Sequence, residues 1–409
     1  MAHEQRTTNG IPIEVIDVGR LNTDSGADFF NAKIKIGETL WVGNVEIHTL
    51  ASDWERHGHQ HDKAYNNVIL HVVKTSDKMV YKQNGEELIQ CQLSFPNYIN
   101  EKYQALSQQQ SSLRCADNLS EIPHIFISTW KDRLLTERLE QKTEAIEMLL
   151  EQNKNHWEEA FYVTLARSFG FHVNGLAFEL LAKSLPLSYL GKHKDNLLQI
   201  EALLFGQSGL LEKGSNEYAN KLQNEYNYFR KRFSLTPLDG SIWKMLRLRP
   251  DNFPHVRIAE FAALIHQSKR LLSVVLENLE YKVLVKLFQV RTSNYWDTHY
   301  TFGEASTEKR KQLGKNSIDT ILINTVVPFV FVYAQKQADE ALQEKAINLL
   351  SAIKPERNTI VQQWESTGMI IENAYDSQAY LQLSKHYCQQ NKCISCRIGH
   401  KILQINPKK

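Results

Sequence analysis

Five of the fifteen histidines, His48, His57, His59, His61 and His71, fall within 24 residues, where an even spread along 409 residues would place just under one. Imidazole is both the side chain that titrates nearest neutrality and a common metal ligand, so such crowding points to proton transfer or metal binding. Asp28, Glu46, Asp53, Asp62, Trp54, Tyr65, Asn66 and Asn67 surround it. In Gly43-Asn-Val-Glu-Ile-His48 the alternation of a strand sends Glu46 and His48 to one face and Val45 and Ile47 to the other. A half-buried strand does not normally give two facing positions to ionisable groups. Asp28 opens the preceding strand, and a hairpin around Gly37 would set it beside Glu46. Asp28 and Glu46 then become candidate ligands of one metal ion, with His48 as base or third ligand. His57, His59 and His61 read either as accessory ligands in a zinc tract or as a solvated loop. His71 reads equally as a site residue or as a satisfied core histidine.

A second chemical signal closes the chain. Cys388-Gln-Gln-Asn-Lys-Cys393-Ile-Ser-Cys396 is flanked by His386 and His400. Three thiolates and one imidazole would complete a tetrahedral zinc site, and His400, one helical turn beyond Cys396, is the favoured fourth ligand. Plain reduced thiols, or a redox or cluster role, are the other readings. A four-cysteine set would require Cys91 or Cys115 to fold back. Five cysteines, three of them crowded at one end, do not form a disulfide framework, so a reducing cytoplasm is the expected location.

Lys244, Arg247, Arg249 and Arg257, interleaved with Trp243, Phe253 and Phe261, are candidate nucleic-acid contacts, phosphate from the cations and base stacking from the rings. A solvated helix end with core aromatics is the alternative. Gly314-Lys-Asn-Ser317 lacks the upstream glycine of a phosphate-binding loop, and neither a Gly-x-Ser-x-Gly elbow nor a dinucleotide fingerprint occurs. The 48 basic against 46 acidic side chains give +2, so any nucleic-acid contact must come from a local patch.

The elements that must hold these residues change character along the chain. Residues 12–18, 29–36, 40–50, 68–74, 79–83 and 88–93 are short and rich in Val, Ile, Phe and Tyr, with Asx/Gly turns between several of them. Asn84-Gly85 suits a hairpin turn in which both central residues take positive φ. The character changes near 98–115, where the polar Ser/Gln-rich stretch 108–112 reads as a linker. Beyond it Trp130, Leu134, Leu135, Leu139, Ile146, Leu149 and Leu150 mark a long amphipathic helix. Helices are expected near 158–169, 216–233, 256–267, 317–334, 339–353, 358–367 and 376–388. The apolar window 317–334 contains Asp319, Asn324 and Pro328 and reads as a buried helix kinked or restarted at the proline, not a membrane span. This organisation is α+β: a mixed-sheet domain over 1–98, a linker and long helix over 99–157, an irregular helical domain over 158–383, and a Cys-rich end over 384–409.

An Asp at the head of one strand and Glu46-Ile-His48 on the next resemble the PD-(D/E)XK nuclease core. The resemblance implies a restriction-endonuclease-like sheet in which Asp28, Glu46 and the Ile47 carbonyl bind Mg²⁺ and a metal-bound water attacks a phosphodiester. His48 stands where that family has Lys, which shifts the expectation toward Mn²⁺. The helix that precedes the first core strand in that family has no counterpart here. The strings Asn22-Thr-Asp-Ser-Gly-Ala-Asp-Phe-Phe-Asn-Ala-Lys-Ile-Lys-Ile, Gly43-Asn-Val-Glu-Ile-His and Ser52-Asp-Trp-Glu-Arg-His-Gly-His-Gln-His-Asp resemble, more closely, a bacterial family of unknown function. That resemblance extends over nearly the whole chain, implies no established activity, and suggests a shortened N-terminus, because its members tend to begin with extra residues.

These readings converge on a cytoplasmic metal-dependent nuclease whose helical part holds nucleic acid. The alternatives are a non-catalytic interaction protein that keeps a degenerate sheet, and a metal hydrolase of a small substrate. The sequence leaves DNA versus RNA, endo versus exo action and oligomeric state open.

Overall fold

Eight- and twelve-residue runs rich in β-branched and aromatic side chains, folded back at Gly37, dictate the first structural unit. In the computed structural model, which describes residues 5–22, 24–93, 96–109, 111–211, 216–268 and 270–405, that unit comprises the described residues up to Gln104. Seven strands form one mixed sheet: β1 (Gln5–Arg6), β2 (Pro12–Asp17), β3 (Arg20–Leu21), β4 (Phe29–Ile36), β5 (Thr39–Leu50), β6 (Val68–Thr75) and β7 (Gln90–Gln92). The order is β1-β2-β4-β5-β6-β7, with β3 also on β4. Strands β2, β4 and β5 are an antiparallel meander, whereas β6 and β7 run parallel to β5. A parallel pair needs a crossover. Residues 51–67 supply it as a short helix (Asp53–Arg56) and two 3-10 turns (His59–His61 and Lys63–Asn67). Ile13, Ala32, Ile34, Ile36, Val45 and Ile69 bury one face, and Trp54, Tyr65, Val68, Val80 and Leu88 pack in a second cluster.

The turn at Asn84-Gly85 differs from the expectation. Only Gly85 has positive φ, and Lys82 N–H bonds to the Glu86 carbonyl across a longer loop closed by a single bridge from Tyr81 to Glu87. One bridge is too little pairing for a strand at 79–83.

The second unit, Ala105–Ile405, is helical. The expected linker at 108–112 begins where a helix of the preceding residues ends. A helix spans Asn97–Gln108, and Leu106 is 3% exposed. The long helix His124–Gln152 buries Trp130, Leu134, Leu135, Leu139, Ile146, Leu149 and Leu150, the predicted stripe. Leu197–Ser208, absent from the expected helices, is buried on every side from Ile200 onward, so its sequence carries no amphipathic period. Around Pro328 the helix neither breaks nor restarts. Lys315–Ile321 passes through a π-turn, Leu322–Val326, into Val327–Lys336, and the widened turn accommodates the missing proline N–H. Among the described residues this is the one helix long and apolar enough to cross a membrane, and 78% of its apolar window is buried. The polar start before Gln5, the strand end at Ser94 and Phe95, and the tail beyond Ile405 lie outside the described residues.

Candidate metal centre

Strand pairing places the first carboxylates. Phe29 is opposite Val45 in the β4–β5 register, so Asp28 sits one step ahead of the strand, beside Glu46. The two residues interlock: Asp28 N–H donates to Glu46 Oε2 (3.1 Å), and Ile47 N–H donates to Asp28 Oδ2 (2.9 Å). Glu46 is 6% exposed while Ile47, on the other face, is 46% exposed, as strand alternation requires.

The crossover brings the imidazoles to the same face. Gly58, at φ +79°, lets the chain reverse between His57 and His59 with nothing crowding its α-carbon. Trp54, fully buried, anchors the segment by donating its indole N–H to the Tyr81 carbonyl and lies against His59, His71 and Tyr65. Tyr65 stacks on the His59 ring at 3.8 Å between centroids. His48 Nδ1 meets His71 Nε2 at 2.8 Å, and His48 Nε2 meets His57 Nδ1 at 3.0 Å. Glu46 Oε1 faces both His48 Nε2 (3.5 Å) and His59 Nε2 (3.4 Å). One ligand nitrogen each from His48, His57 and His59 lies within 4.8 Å of the other two.

Burial moves Glu46 upward and His48, His59 and His71 downward from their ordinary pKa values. Burial, reinforced by the Asp28 charge, raises the Glu46 carboxyl to about 7. Burial and the neighbouring His57 lower His48; burial and His48 take His59 to about 4 and His71 to about 3. The contacts of Glu46 with His48 and His59 are therefore not ion pairs at neutral pH. Imidazoles held unprotonated offer their lone pairs, the state a cation requires. The buried His59 Nε2 has no hydrogen-bond partner. An orphaned nitrogen close to two further ring nitrogens, with a carboxylate oxygen facing two of the three rings, fits a divalent ion. His71, wholly buried, lies behind His48, and His61 is exposed on the far side of its 3-10 turn.

The chain matches the family described as "Protein of unknown function (DUF2851)" over residues 1–359. It belongs to that family. The DUF2851 match takes in every residue of the His-rich site but stops before Cys388. No curated protein and no solved structure matches the chain.

The other predicted residues of this DUF2851 member are dispersed. Lys244, Arg247 and Arg249 are exposed on the segment that follows Trp243. Arg257 is 7% exposed, ion-paired with Glu260 at 2.7 Å and bonded to Asn252 and Ser317, so it is a core residue turned away from solvent. Cys388, Cys393 and Cys396 line one cavity, whereas His400 is exposed and not part of its wall. A larger polar cleft in the helical unit, about 1130 Å³, is walled by Arg138, Arg167, Lys315, Lys354, Arg357 and Lys385 with Asp319 and Glu356. Its cations come from sequence-distant helices and loops, so no local run of basic residues announces it.

Proposed function

We propose that this chain is a metal-dependent phosphodiesterase acting on nucleic acid. The observation that carries the reading is the meeting of the His48, His57 and His59 nitrogens within 4.8 Å of one another, with Glu46 Oε1 facing two of them, His48 and His59. Unshared electron pairs so close repel unless protons or a cation separate them. Three imidazoles with one carboxylate suit Mn²⁺ or Zn²⁺ better than Mg²⁺, which prefers oxygen. When bound, a divalent ion lowers the pKa of its water and offsets charge developing on a phosphate.

The protein's part is to hold and orient. Glu46, His48, His57 and His59 would be the ligands. A His48 Nδ1–H directed at His71 Nε2 would hold His48 in the tautomer whose Nε2 carries the lone pair a cation needs. Asp28 restrains Glu46 through its backbone N–H, is itself restrained by Ile47, and adds a second negative charge beside the ion. Two further observations support phosphodiester over other substrates. Asp28, just before β4, lies beside Glu46-x-His48 on β5, which is compatible with two carboxylates serving one ion. The cation-walled cleft of the helical unit suits a polyanion.

The test is incubation of the full chain with Mn²⁺, Zn²⁺ or Mg²⁺ and a panel of single- and double-stranded DNA and RNA. Cleavage should appear with Mn²⁺ or Zn²⁺ and vanish in Glu46→Ala, while His61→Ala keeps it. Intact substrates with folded, metal-loaded protein would leave a binding protein or a small-substrate hydrolase in its place.

A further inference from the structure

A slot of about 300 Å³ adjoins the polar cleft of the helical unit, and Phe171, His172, Asn316 and Thr320 line both. Cavities of this size are those that take small molecules. We propose that the two together form a binding site for one nucleotide, with the base in the slot and the phosphate in the cleft. The inference concerns the helical unit alone and needs no cleavage at the metal centre. The slot suits a flat apolar ring, because Phe169, Phe178, Leu248 and Pro254 line it along with Phe171. Its polar groups suit a base edge. Asn252 Oδ1 and Ser317 Oγ both accept from Arg257, which leaves the Asn252 amide N–H and the Ser317 O–H to donate to the carbonyls or ring nitrogens of a base.

The ring common to both cavities is fixed in an unusual conformation. Phe171 has φ +47°, a left-handed backbone rare for an aromatic residue. A β-carbon on Gly170 would lie 2.3 Å from the Asn174 carbonyl, so the helices Trp157–Phe169 and Phe171–Ser184 meet there too closely for any other residue. The Arg257 guanidinium lies 4.6 Å from the Phe171 ring centroid and is itself held by Glu260, Asn252 and Ser317. Backbone outliers secured from several sides cluster at ligand sites.

The cleft supplies what a phosphate needs. Arg138 and Lys142 are bonded to neutral partners, Gln378 and Asn324, and among the described residues neither makes a contact ion pair. Glu356, whose charge acts on both, is held by the Asn324 and Gln378 amides instead. Lys315, Lys354, Arg357 and Lys385 add positive charge at exposed positions of the wall. The helix Thr359–Ser366 begins in the same wall, its cap Asn358 and first residues lining the cleft, and helix N-termini attract phosphate. A phosphate monoester, ionised nearly twice at neutral pH, gains more from these cations than a singly charged diester. The site therefore favours a nucleotide that ends in phosphate, free or at the end of a strand.

The experiment is calorimetric titration of the full chain, without added metal, with nucleoside 5′-monophosphates, the matching nucleosides, inorganic phosphate, and short single strands with and without a 5′-phosphate. A nucleotide or a phosphorylated strand end should bind one per chain, at least about 10-fold tighter than the nucleoside or inorganic phosphate. Preference for the phosphorylated strand assigns a strand end as the ligand, and preference for the monophosphate assigns the free nucleotide. Asn316→Trp, at an exposed position on the shared wall, should abolish binding. Should it fail to fold, Lys385→Ala, exposed in the cleft, should weaken the phosphate-bearing ligand by about 10-fold. Glu46→Ala should bind as the wild type does, so a chain that binds nucleotide but cleaves nothing fails only the reading of the metal centre. Nucleoside or inorganic phosphate bound as tightly as the nucleotide, strands bound equally with and without the 5′-phosphate, wild-type affinity in folded Asn316→Trp, or no binding of any of these ligands would overturn the proposal.

Discussion

His48 has both ring nitrogens committed, one toward His71 and the other toward His57 and Glu46. One nitrogen of a neutral imidazole carries a proton and the other does not, so the His71 contact decides which face of His48 is free. His71→Leu preserves buried volume but leaves His48 Nδ1 without its hydrogen-bond partner. Affinity for Mn²⁺ or Zn²⁺, measured by competition titration, should fall by about 10–100-fold, as for other partners of ligating histidines. Unchanged affinity would return His71 to the core. The density of histidines and the alternation that pairs Glu46 with His48 are legible in sequence, because both are local. The division of labour among the histidines is not. Buried His59 and exposed His57 both turn toward His48 and His61 does not, through the left-handed Gly58 and the 3-10 turn that follows, and a His-Gly-His-Gln-His string does not encode that choice.

Elements whose two faces differ were readable, and those buried all round were not. Strand β5 and the helix His124–Gln152 show their periods, whereas Leu197–Ser208 hides its own behind uniform burial. Strand β5 also carries a constraint that only the parallel pairing exposes. A β-carbon added at Gly43 would lie 2.4 Å from Ile69 Cγ2 and 2.6 Å from the Asn67 carbonyl oxygen, at the point where the crossover enters β6. The methyl of Ile69 has some freedom to shift, but the backbone oxygen has little. Gly43→Ala should therefore destabilise the sheet by about 1–3 kcal/mol through overpacking, seen as a lower midpoint in urea. Because Asn67 ends the segment that carries His57 and His59, metal affinity should fall in the same variant. Gly58→Ala, with open space but positive φ, should cost about 1 kcal/mol by strain alone.

At the scale of the whole chain, a formal charge of +2 conceals an uneven distribution. Arg138, Arg167, Lys315, Lys354, Arg357 and Lys385 outnumber Asp319 and Glu356 in the cleft of the helical unit. Lys142, bonded to Asn324, is lowered to about 7, first by burial and then by the Arg138 charge. That Cys115 lines one cavity with Cys388, and that these cations gather, share one cause of illegibility: both depend on tertiary packing between segments far apart in sequence. The cleft gives the nucleic-acid reading a test separate from cleavage. Lys354 and Arg357 lie on the loop before the helix Thr359–Ser366, where substitution disturbs no helical packing. Removing a cation that neutralises one phosphate should lower the slope of log affinity against log salt by about 1. Lys354→Glu with Arg357→Glu should therefore weaken binding to a labelled single-stranded DNA or RNA at low salt and flatten that slope by about 2. The thermal midpoint and the metal affinity of the sheet unit should stay as in the wild type. Binding with an unchanged slope would place the polyanion elsewhere, on the exposed Lys244, Arg247 and Arg249 first, and the corresponding triple substitution would then carry the loss.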